Sequence, residues 1–151
     1  TNEERKHVMA VKRILCAVDG SKSTGRVAAC AVDLARATGA RLVFLNIDIV
    51  PARTRRTYFW DAELMGAAEA QSSKQLSLAA KAARTAKFED FDCVTASGHD
   101  IADAIVSYAD KNKIGHIVMG THTTSQLARI LLGSVAAAVV SHAKVPVTIV
   151  K

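Results

Sequence analysis

Residues 13–19 of the chain read RILCAVD, a short apolar run that ends in Asp19. Strands that are buried on both faces of a parallel sheet have such nearly continuous apolar sequences, because helices cover both faces. The next residues, 20–25, read GSKSTG and are typical of a turn that leads into a helix. We therefore predict that residues 13–19 form the first strand of a parallel sheet, with a polar turn at its carboxyl end.

Apolar strands and helical segments alternate along the rest of the chain. Residues 41–47, RLVFLNI, repeat the pattern of a buried strand, and three further strands are predicted at residues 91–97, 115–120 and 146–150. Helices are predicted at residues 26–39, 61–86, 101–112 and 133–142. This alternation predicts the α/β class, as one open, doubly wound, five-stranded parallel sheet with helices on both faces.

Length and composition fit one globular domain. The chain has 151 residues, of which 50% are hydrophobic and 23% charged, whereas disordered chains combine low hydrophobicity with high net charge. We expect residues 1–10 to form a flexible N-terminal extension and residues 11–151 to form a single α/β domain. No apolar run reaches the roughly 20 residues of a membrane-spanning helix, and the first residues lack the apolar core of a signal peptide. We therefore expect no membrane partner and a cytoplasmic protein.

The three cysteines, Cys16, Cys30 and Cys93, are odd in number and widely spaced, so they predict no disulfide framework. Cys16 and Cys93 fall within predicted strands. We therefore expect reduced, buried thiols, which fits the cytoplasm.

The net charge leaves two interpretations open. Lys and Arg number 20 and Asp and Glu number 14, which gives +6. Such an excess occurs in proteins that bind nucleic acid, an anionic membrane or a small phosphate ligand, and equally on an ordinary solvated surface. Arg53, Arg55 and Arg56 follow the second strand, at the rim where a phosphate ligand binds, although such clusters are more often simply solvated. We do not expect nucleic acid as a partner, because acidic residues are mixed with the basic ones and only 5% of residues are aromatic.

Candidate ligand-binding residues follow the first and fourth strands. In open parallel sheets, ligands bind beyond the carboxyl ends of the strands, where the strand order reverses. Asp19 is suited to accept hydrogen bonds from ribose hydroxyls or to help hold a metal beside phosphates, and equally to form a turn. Gly120 follows the fourth strand, and Gly133 and Ser134 begin a helix, where free N–H groups and the helix dipole favour a phosphate. Alternatively, Gly133 is a turn residue and Ser134 a helix cap.

The absence of three sequence motifs counts against several enzyme classes. It contains no P-loop, no G-x-S-x-G nucleophile elbow and no G-x-G-x-x-G after the first strand. Its five histidines show no zinc-binding spacing with Cys, Asp or Glu. A P-loop ATPase, an α/β-hydrolase and a dinucleotide-dependent dehydrogenase are therefore not expected.

Three stretches together resemble the universal stress protein family. KRILCAVDGS, at residues 12–21, is similar to the first strand of that family. Residues 120–134 resemble its nucleotide motif, G-x2-G-x9-G-[ST]. The tail LLGSVAAAVVSHAKVPVTIVK, at residues 131–151, is similar to its last helix and strand. The resemblance extends over about residues 12–151.

The resemblance implies a fold, a ligand and a partner. The implied strand order is 3-2-1-4-5, with ATP bound between the loops after the first and fourth strands, with or without Mg2+. It also implies a homodimer that pairs through the C-terminal edge strand, residues 146–150. The nucleotide-binding residues that we assign on this basis are Asp19, Gly20, Ser21, Ile47, Gly120, His122, Thr123, Gly133 and Ser134.

One motif position departs from the family pattern. Thr123 stands where the motif has its second glycine. A β-branched residue is a poor substitute where positive φ or a close phosphate approach is needed, whereas its hydroxyl can donate to a phosphate. The substitution therefore leaves lost affinity and altered contacts as alternatives.

The leading hypothesis is a cytoplasmic stress-response protein that binds ATP or a related adenine nucleotide as a homodimer, with at most slow hydrolysis. The alternative is a dimeric interaction module of the same fold that binds no ATP. An enzyme that acts on nucleotides through Asp19 and His122 ranks last, because no pair of base and nucleophile is recognised.

Overall fold

The structure is a computed structural model that describes residues 11–50, 62–121 and 132–151, with the backbone alone described at residues 62–72. The described residues form a five-stranded, all-parallel sheet with the order β3-β2-β1-β4-β5. Its strands are β1 (Arg13–Ala17), β2 (Arg41–Ile49), β3 (Phe91–Gly98), β4 (His116–Gly120) and β5 (Val147–Val150). The fold class and the strand order expected from the sequence are thereby confirmed.

The helices of the described residues lie between the strands along the chain. They are α1 (Thr24–Thr38), α2 (Ala62–Thr85), α3 (Ile101–Lys111) and α4 (Ser134–His142). α1 and α2 pack on one face of the sheet, and α3 and α4 pack on the other. The predicted alternation of strands and helices agrees with the structure. The ends of the predicted helices and strands differ from the observed ends by at most two residues.

The central strand β1 is buried on both faces. Ile14 and Cys16 contact the layer of α1 and α2, whereas Leu15 contacts the layer of α3 and α4. All three side chains are completely inaccessible to solvent. This burial explains why the strand is apolar at almost every position, since alternate side chains point into two separate cores.

The strands end at different levels at the carboxyl edge of the sheet. β1 pairs with β2 only as far as Ala17 and Leu45, and the amide of Val18 makes one more bond to the carbonyl of Leu45, at 2.9 Å. β2 then continues beside β3 until Ile49. A recess therefore opens beyond β1, between the longer β2 and the end of β4, at the point where the strand order reverses.

The expectation of buried thiols is wrong for Cys93. Cys16 is buried and Cys30 is half-buried, but Cys93 is exposed. β3 is an edge strand, and its side chains are alternately half-buried and exposed along most of its length. Burial raises the pKa of the Cys16 thiol well above its ordinary value, so that this thiol stays protonated and unreactive.

No helix of the described ranges is both long and apolar enough to cross a bilayer. Residues 1–10, which the sequence predicts to be a flexible extension, lie outside the described residues, as do Arg53, Arg55 and Arg56. The division into an extension and a single domain therefore stays a prediction.

His116 gives the fold a defined pH dependence. The histidine is half-buried at the start of β4, and its Nε2 lies 2.7 Å from the hydroxyl oxygen of Thr148 on β5. Burial lowers the pKa of His116, so the unfolded chain takes up a proton at a higher pH than the folded chain does. The free energy of unfolding should therefore fall as the pH drops below about 6.5, the ordinary value for histidine.

The measurement is urea unfolding of the wild type and of His116→Gln between pH 7.5 and pH 5. The variant should lose less stability on acidification, because glutamine does not titrate and can still bond to Thr148. Equal losses in the two proteins would show that His116 does not contribute to the acid sensitivity.

Candidate functional site

A cavity of about 340 Å³ occupies the recess beyond β1, and we call it the carboxyl-end cavity. The ends of β1, β2 and β4 form its floor, and the first turns of α1 and α4 form parts of its wall. The strand ends contribute Ala17, Val18, Asp19, Leu45, Asn46, Ile47, Met119, Gly120 and Thr121. Its position agrees with the general rule for ligand sites in open α/β sheets.

The carboxyl-end cavity has one apolar side and one polar side. On the side of α3 and α4, the lining is almost entirely aliphatic and consists of Ala17, Leu45, Ile47, Ile101, Ile105, Met119, Val135 and Ala136. On the side of α1 and α2, the lining includes Ser23, Thr24, Asn46 and Gln75. The contrast arises because alternate side chains of one strand face opposite layers of the protein. Such a cavity suits a ligand with a flat apolar part and a polar part.

Asn46 ties three elements together under the polar side. It is only 4% exposed, and its Nδ2 donates to the carbonyl oxygen of Val18, at 3.3 Å, and to Oε1 of Gln75 on α2. These bonds hold the end of β1 against β2 and α2. Asn46 is the one uncharged polar residue in the stretch RLVFLNI. A polar residue inside an apolar run is a signal that could have identified it from the sequence.

Asp19 lies at the exposed rim of the carboxyl-end cavity. Its Oδ1 accepts a hydrogen bond from the backbone amide of Ser21, at 2.9 Å, which is the geometry of an Asx turn. The carboxylate therefore closes the turn and also lines the cavity, and its predicted role toward a ribose or a metal stays a prediction. Ser21 itself does not line the cavity, and its hydroxyl oxygen lies 2.9 Å from that of Ser23.

Gly20 is needed for the conformation of the turn after β1, and it does not line the cavity. Its φ is +74°, a conformation that L side chains rarely adopt. The space that a β-carbon would fill is taken by the side chain of Gln75. Gly20 is therefore required by the backbone conformation and by the packing of α2.

Gly120 lines the carboxyl-end cavity and also allows two elements to pack closely. A β-carbon there would lie 3.2 Å from Cγ2 of Val27 on α1 and 3.8 Å from the hydroxyl oxygen of Ser23. Because the side chain is absent, α1 can approach β4 and the space beside Ser23 stays open.

At the start of α4, Gly133 is buried and is the N-cap residue, with extended φ and ψ of −60° and 155°. Ser134 is the first residue of the helix, exposed and part of the cavity lining. The alternative in which Ser134 is the cap is therefore wrong, because Gly133 occupies the cap position. A serine in the first helical position can use its hydroxyl for other partners.

The predicted site residues are only partly brought together. Asp19, Ile47, Gly120 and Ser134 line the carboxyl-end cavity. Gly20 and Gly133 are chain neighbours of lining residues, and Ser21 lies two residues from Asp19 and from Ser23, but none of the three lines the cavity. His122 and Thr123 lie outside the described residues, so their predicted roles stay predictions. Within the described ranges, no group of three or more His, Cys, Asp or Glu residues is arranged to hold a metal ion.

Comparisons with known proteins give one family. The family model described as the universal stress protein family matches residues 10–151. A universal stress protein of Methanocaldococcus jannaschii is 52% identical over 50 residues, which are 33% of this chain and 29% of that protein.

Solved structures are similar over most of the chain. A universal stress protein from Archaeoglobus fulgidus in complex with dAMP is 25% identical with a TM-score of 0.70, and the match covers 93% of this chain and 98% of that chain. A universal stress protein in complex with cAMP is 28% identical with a TM-score of 0.67, covering 93% of this chain and 97% of that chain.

Alanine substitutions at Gly20 and Gly39 test the packing of Gln75 on the turn after β1. Gly39 also has positive φ, at +69°, but a β-carbon there would meet nothing within 4 Å. Gly39→Ala should therefore cost about 1 kcal/mol of unfolding free energy, from backbone strain alone. Gly20→Ala should cost more, because Gln75 must also move and its bond with Asn46 is disturbed.

Gly25→Ala is the matched control, since Gly25 lies within α1 and a β-carbon there would also meet nothing within 4 Å. This variant should be as stable as the wild type or more stable. Chemical denaturation measures all three, and a Gly20→Ala protein no less stable than Gly39→Ala would contradict the packing of Gln75 on Gly20.

Proposed function

We propose that this chain, which belongs to the universal stress protein family, binds an adenine nucleotide in the carboxyl-end cavity. The observation that carries the proposal is the two-sided lining, in which an aliphatic wall and a set of hydroxyls and amides face one space at the switch in strand order. Two solved relatives, described as complexes with cAMP and dAMP, support it, since both ligands combine adenine, a pentose and one phosphate.

The proposed arrangement assigns each part of the nucleotide to matching chemistry. The adenine ring packs against the aliphatic wall that contains Ile47 and Met119, where an apolar ring loses contact with water. The pentose lies near Asp19, whose carboxylate accepts hydrogen bonds from hydroxyl groups. The phosphate lies near Gly120 and Ser134, where the first turn of α4 presents N–H groups and the positive end of its dipole.

The number of phosphates stays a prediction. The family resemblance implies ATP or a related adenine nucleotide, and the two solved relatives hold monophosphates. Mg2+ needs little from the protein when it is held by phosphate oxygens and one or two carboxylates, and Asp19 is a carboxylate in the lining.

We expect any hydrolysis to be slow. Asp19 is the one Asp or Glu among the described lining residues, and its Oδ1 already accepts from Ser21. A general base for water attack would have to lie within hydrogen-bond reach of the substrate. The proposed output is therefore a change that depends on nucleotide binding, in a protein that we place in the cytoplasm.

We also propose a homodimer that pairs through β5, the edge strand at the C-terminal end of the sheet. The amide of Ile117 on β4 donates to the carbonyl of Pro146, at 3.0 Å. Alternate residues of a parallel strand face the neighbouring strand, so residues 146, 148 and 150 face β4. The backbone groups of Val147 and Ile149 then face the outer edge, where a second strand can pair with them.

Nucleotide binding is tested by calorimetry of nucleotide-free protein with AMP, cAMP and ATP plus Mg2+, each up to millimolar concentration. Ser134→Ala should raise the Kd for AMP about tenfold, the effect expected when a hydrogen bond to a charged group is lost, and should leave the Kd for adenosine unchanged. The matched control is Ser141→Ala in the last turn of the same helix, where the hydroxyl donates to the carbonyl of Ala137, at 2.9 Å. Absence of binding and of any thermal shift with all three nucleotides would reject the proposal and leave the interaction module that binds no nucleotide.

The edge pairing is tested at Ile149 by sedimentation velocity. Ile149→Pro removes an amide that faces outward, so it should convert the dimer to a monomer while the sheet within each chain stays intact. Ile149→Ala controls for the loss of the side chain and should remain a dimer. A change at Thr148 would be less informative, because its backbone bonds to β4. An Ile149→Pro protein that still sediments as a dimer would exclude β5 as the interface.

A further inference from the structure

Thr24, the first residue of α1, has an unexplained hydroxyl. The residue is 2% exposed and lines the carboxyl-end cavity. Its Oγ1 is buried and has no hydrogen-bond partner among the residues that the structure describes. A buried hydroxyl without a partner is unfavourable for folding, because water no longer solvates it. Its position in a cavity wall suggests that the missing partner belongs to a ligand.

The N-terminus of α1 is a second feature of the same wall. α1 is 15 residues long, and the side chain of its N-cap residue, Ser23, makes no capping hydrogen bond to the helix. Ser23 instead shares a hydrogen bond with Ser21. The first turn therefore lacks the side-chain acceptor that usually satisfies its free amides, and its dipole favours an anion.

The polar side of the carboxyl-end cavity and the proposed phosphate position lie on either side of Gly120. The hydroxyl oxygen of Ser23 lies 3.8 Å from the place where a β-carbon of Gly120 would be. Ser134, at the start of α4, lines the same cavity. The first turns of two helices, α1 and α4, thus border one space above Gly120. Lys22, in the turn before α1, adds a positive charge to this end of the protein.

We propose that the Thr24 hydroxyl, together with the first turn of α1, binds a phosphate group of the nucleotide. The inference rests on the proposed function and adds a residue that the sequence motif does not contain. The hydroxyl donates its proton in a hydrogen bond to an anionic phosphate oxygen, and no covalent bond changes. A phosphate fits better than the adenine ring, because the apolar wall for the ring is formed by residues of the opposite layer.

The experiment compares Thr24→Val, which keeps the shape and removes the hydroxyl, with Thr24→Ser, which keeps the hydroxyl. Calorimetry with AMP and with adenosine separates the phosphate contact from contacts with the nucleoside. Thr24→Val should raise the Kd for AMP roughly ten- to hundredfold and leave the Kd for adenosine unchanged, and Thr24→Ser should bind AMP nearly as the wild type does.

Thermal unfolding without nucleotide gives an independent readout. Thr24→Val should melt at the same temperature as the wild type or higher, because a methyl group replaces a hydroxyl for which the described ranges offer no partner. Thr38→Val, at the other end of α1, is the matched control. The Thr38 hydroxyl donates to the carbonyl of Leu34, at 2.8 Å, so this change removes a satisfied hydroxyl and should affect neither ligand.

Four outcomes would overturn the inference. If Thr24→Val binds AMP as the wild type does, the hydroxyl does not contact the ligand although the nucleotide site stands. If it weakens AMP and adenosine equally, the hydroxyl faces the nucleoside instead of the phosphate. If it lowers the melting temperature, the hydroxyl has a partner within the protein. If the wild type binds none of AMP, cAMP, ATP with Mg2+ and adenosine, the proposed function fails and this inference fails with it.

Discussion

The complete burial of β1 is the constraint on which the rest of the structure depends. A strand with helices on both faces and strands on both sides pairs every backbone group with a neighbour, and its side chains fill two cores at once. Such a strand can meet solvent only at its ends. β1 stops at Ala17 while β2 runs on to Ile49, so the carboxyl end is where the chain turns sharply and where a cavity forms. The turn at Asp19, the left-handed Gly20 and the close approach of α1 at Gly120 all follow from this ending.

The two buried polar side chains near the carboxyl end of β1, those of Asn46 and Thr24, differ in their hydrogen bonding. Asn46 is buried and satisfied, and it connects the end of β1 to α2. Thr24 is buried, and its hydroxyl has no partner within the described part of the chain, an arrangement that costs about 1–3 kcal/mol in typical proteins. Among the residues that the structure describes, this hydroxyl is the buried side-chain polar atom without a partner, and Thr24 lines the cavity. Recognition of a ligand is the physical reason that we propose for it.

The sequence predicted the helices and strands better than it predicted which strands and side chains lie next to one another. RILCAVD is sufficient to identify β1, because burial on both faces leaves a local pattern, and the polar turn at Asp19 is equally local. The strand order came from the family resemblance, since periodicity does not specify which strands are neighbours. Cys93 was expected to be buried, and it is exposed because β3 lies at an edge, which its own residues do not reveal. Thr24 was missed because whether a polar side chain is buried and bonded depends on residues far away in the chain. Asn46 does leave a local signal, as a polar residue within an apolar run, but its partners Val18 and Gln75 lie far away in the sequence.

Gly120 shows how a binding motif can be maintained by packing. Its missing side chain makes room for Val27 of α1 as well as for the cavity. The β-carbon of a larger residue there would lie 3.2 Å from Cγ2 of Val27, so that Val27 would have to move by a few tenths of an ångström even in a protein that binds nothing. Selection on folding alone would then preserve this glycine after a lineage had lost its ligand. A glycine at this position is therefore weak evidence of nucleotide binding when a new sequence is interpreted, and the exposed Ser134, which lines the cavity at the start of α4, is the more informative position to inspect.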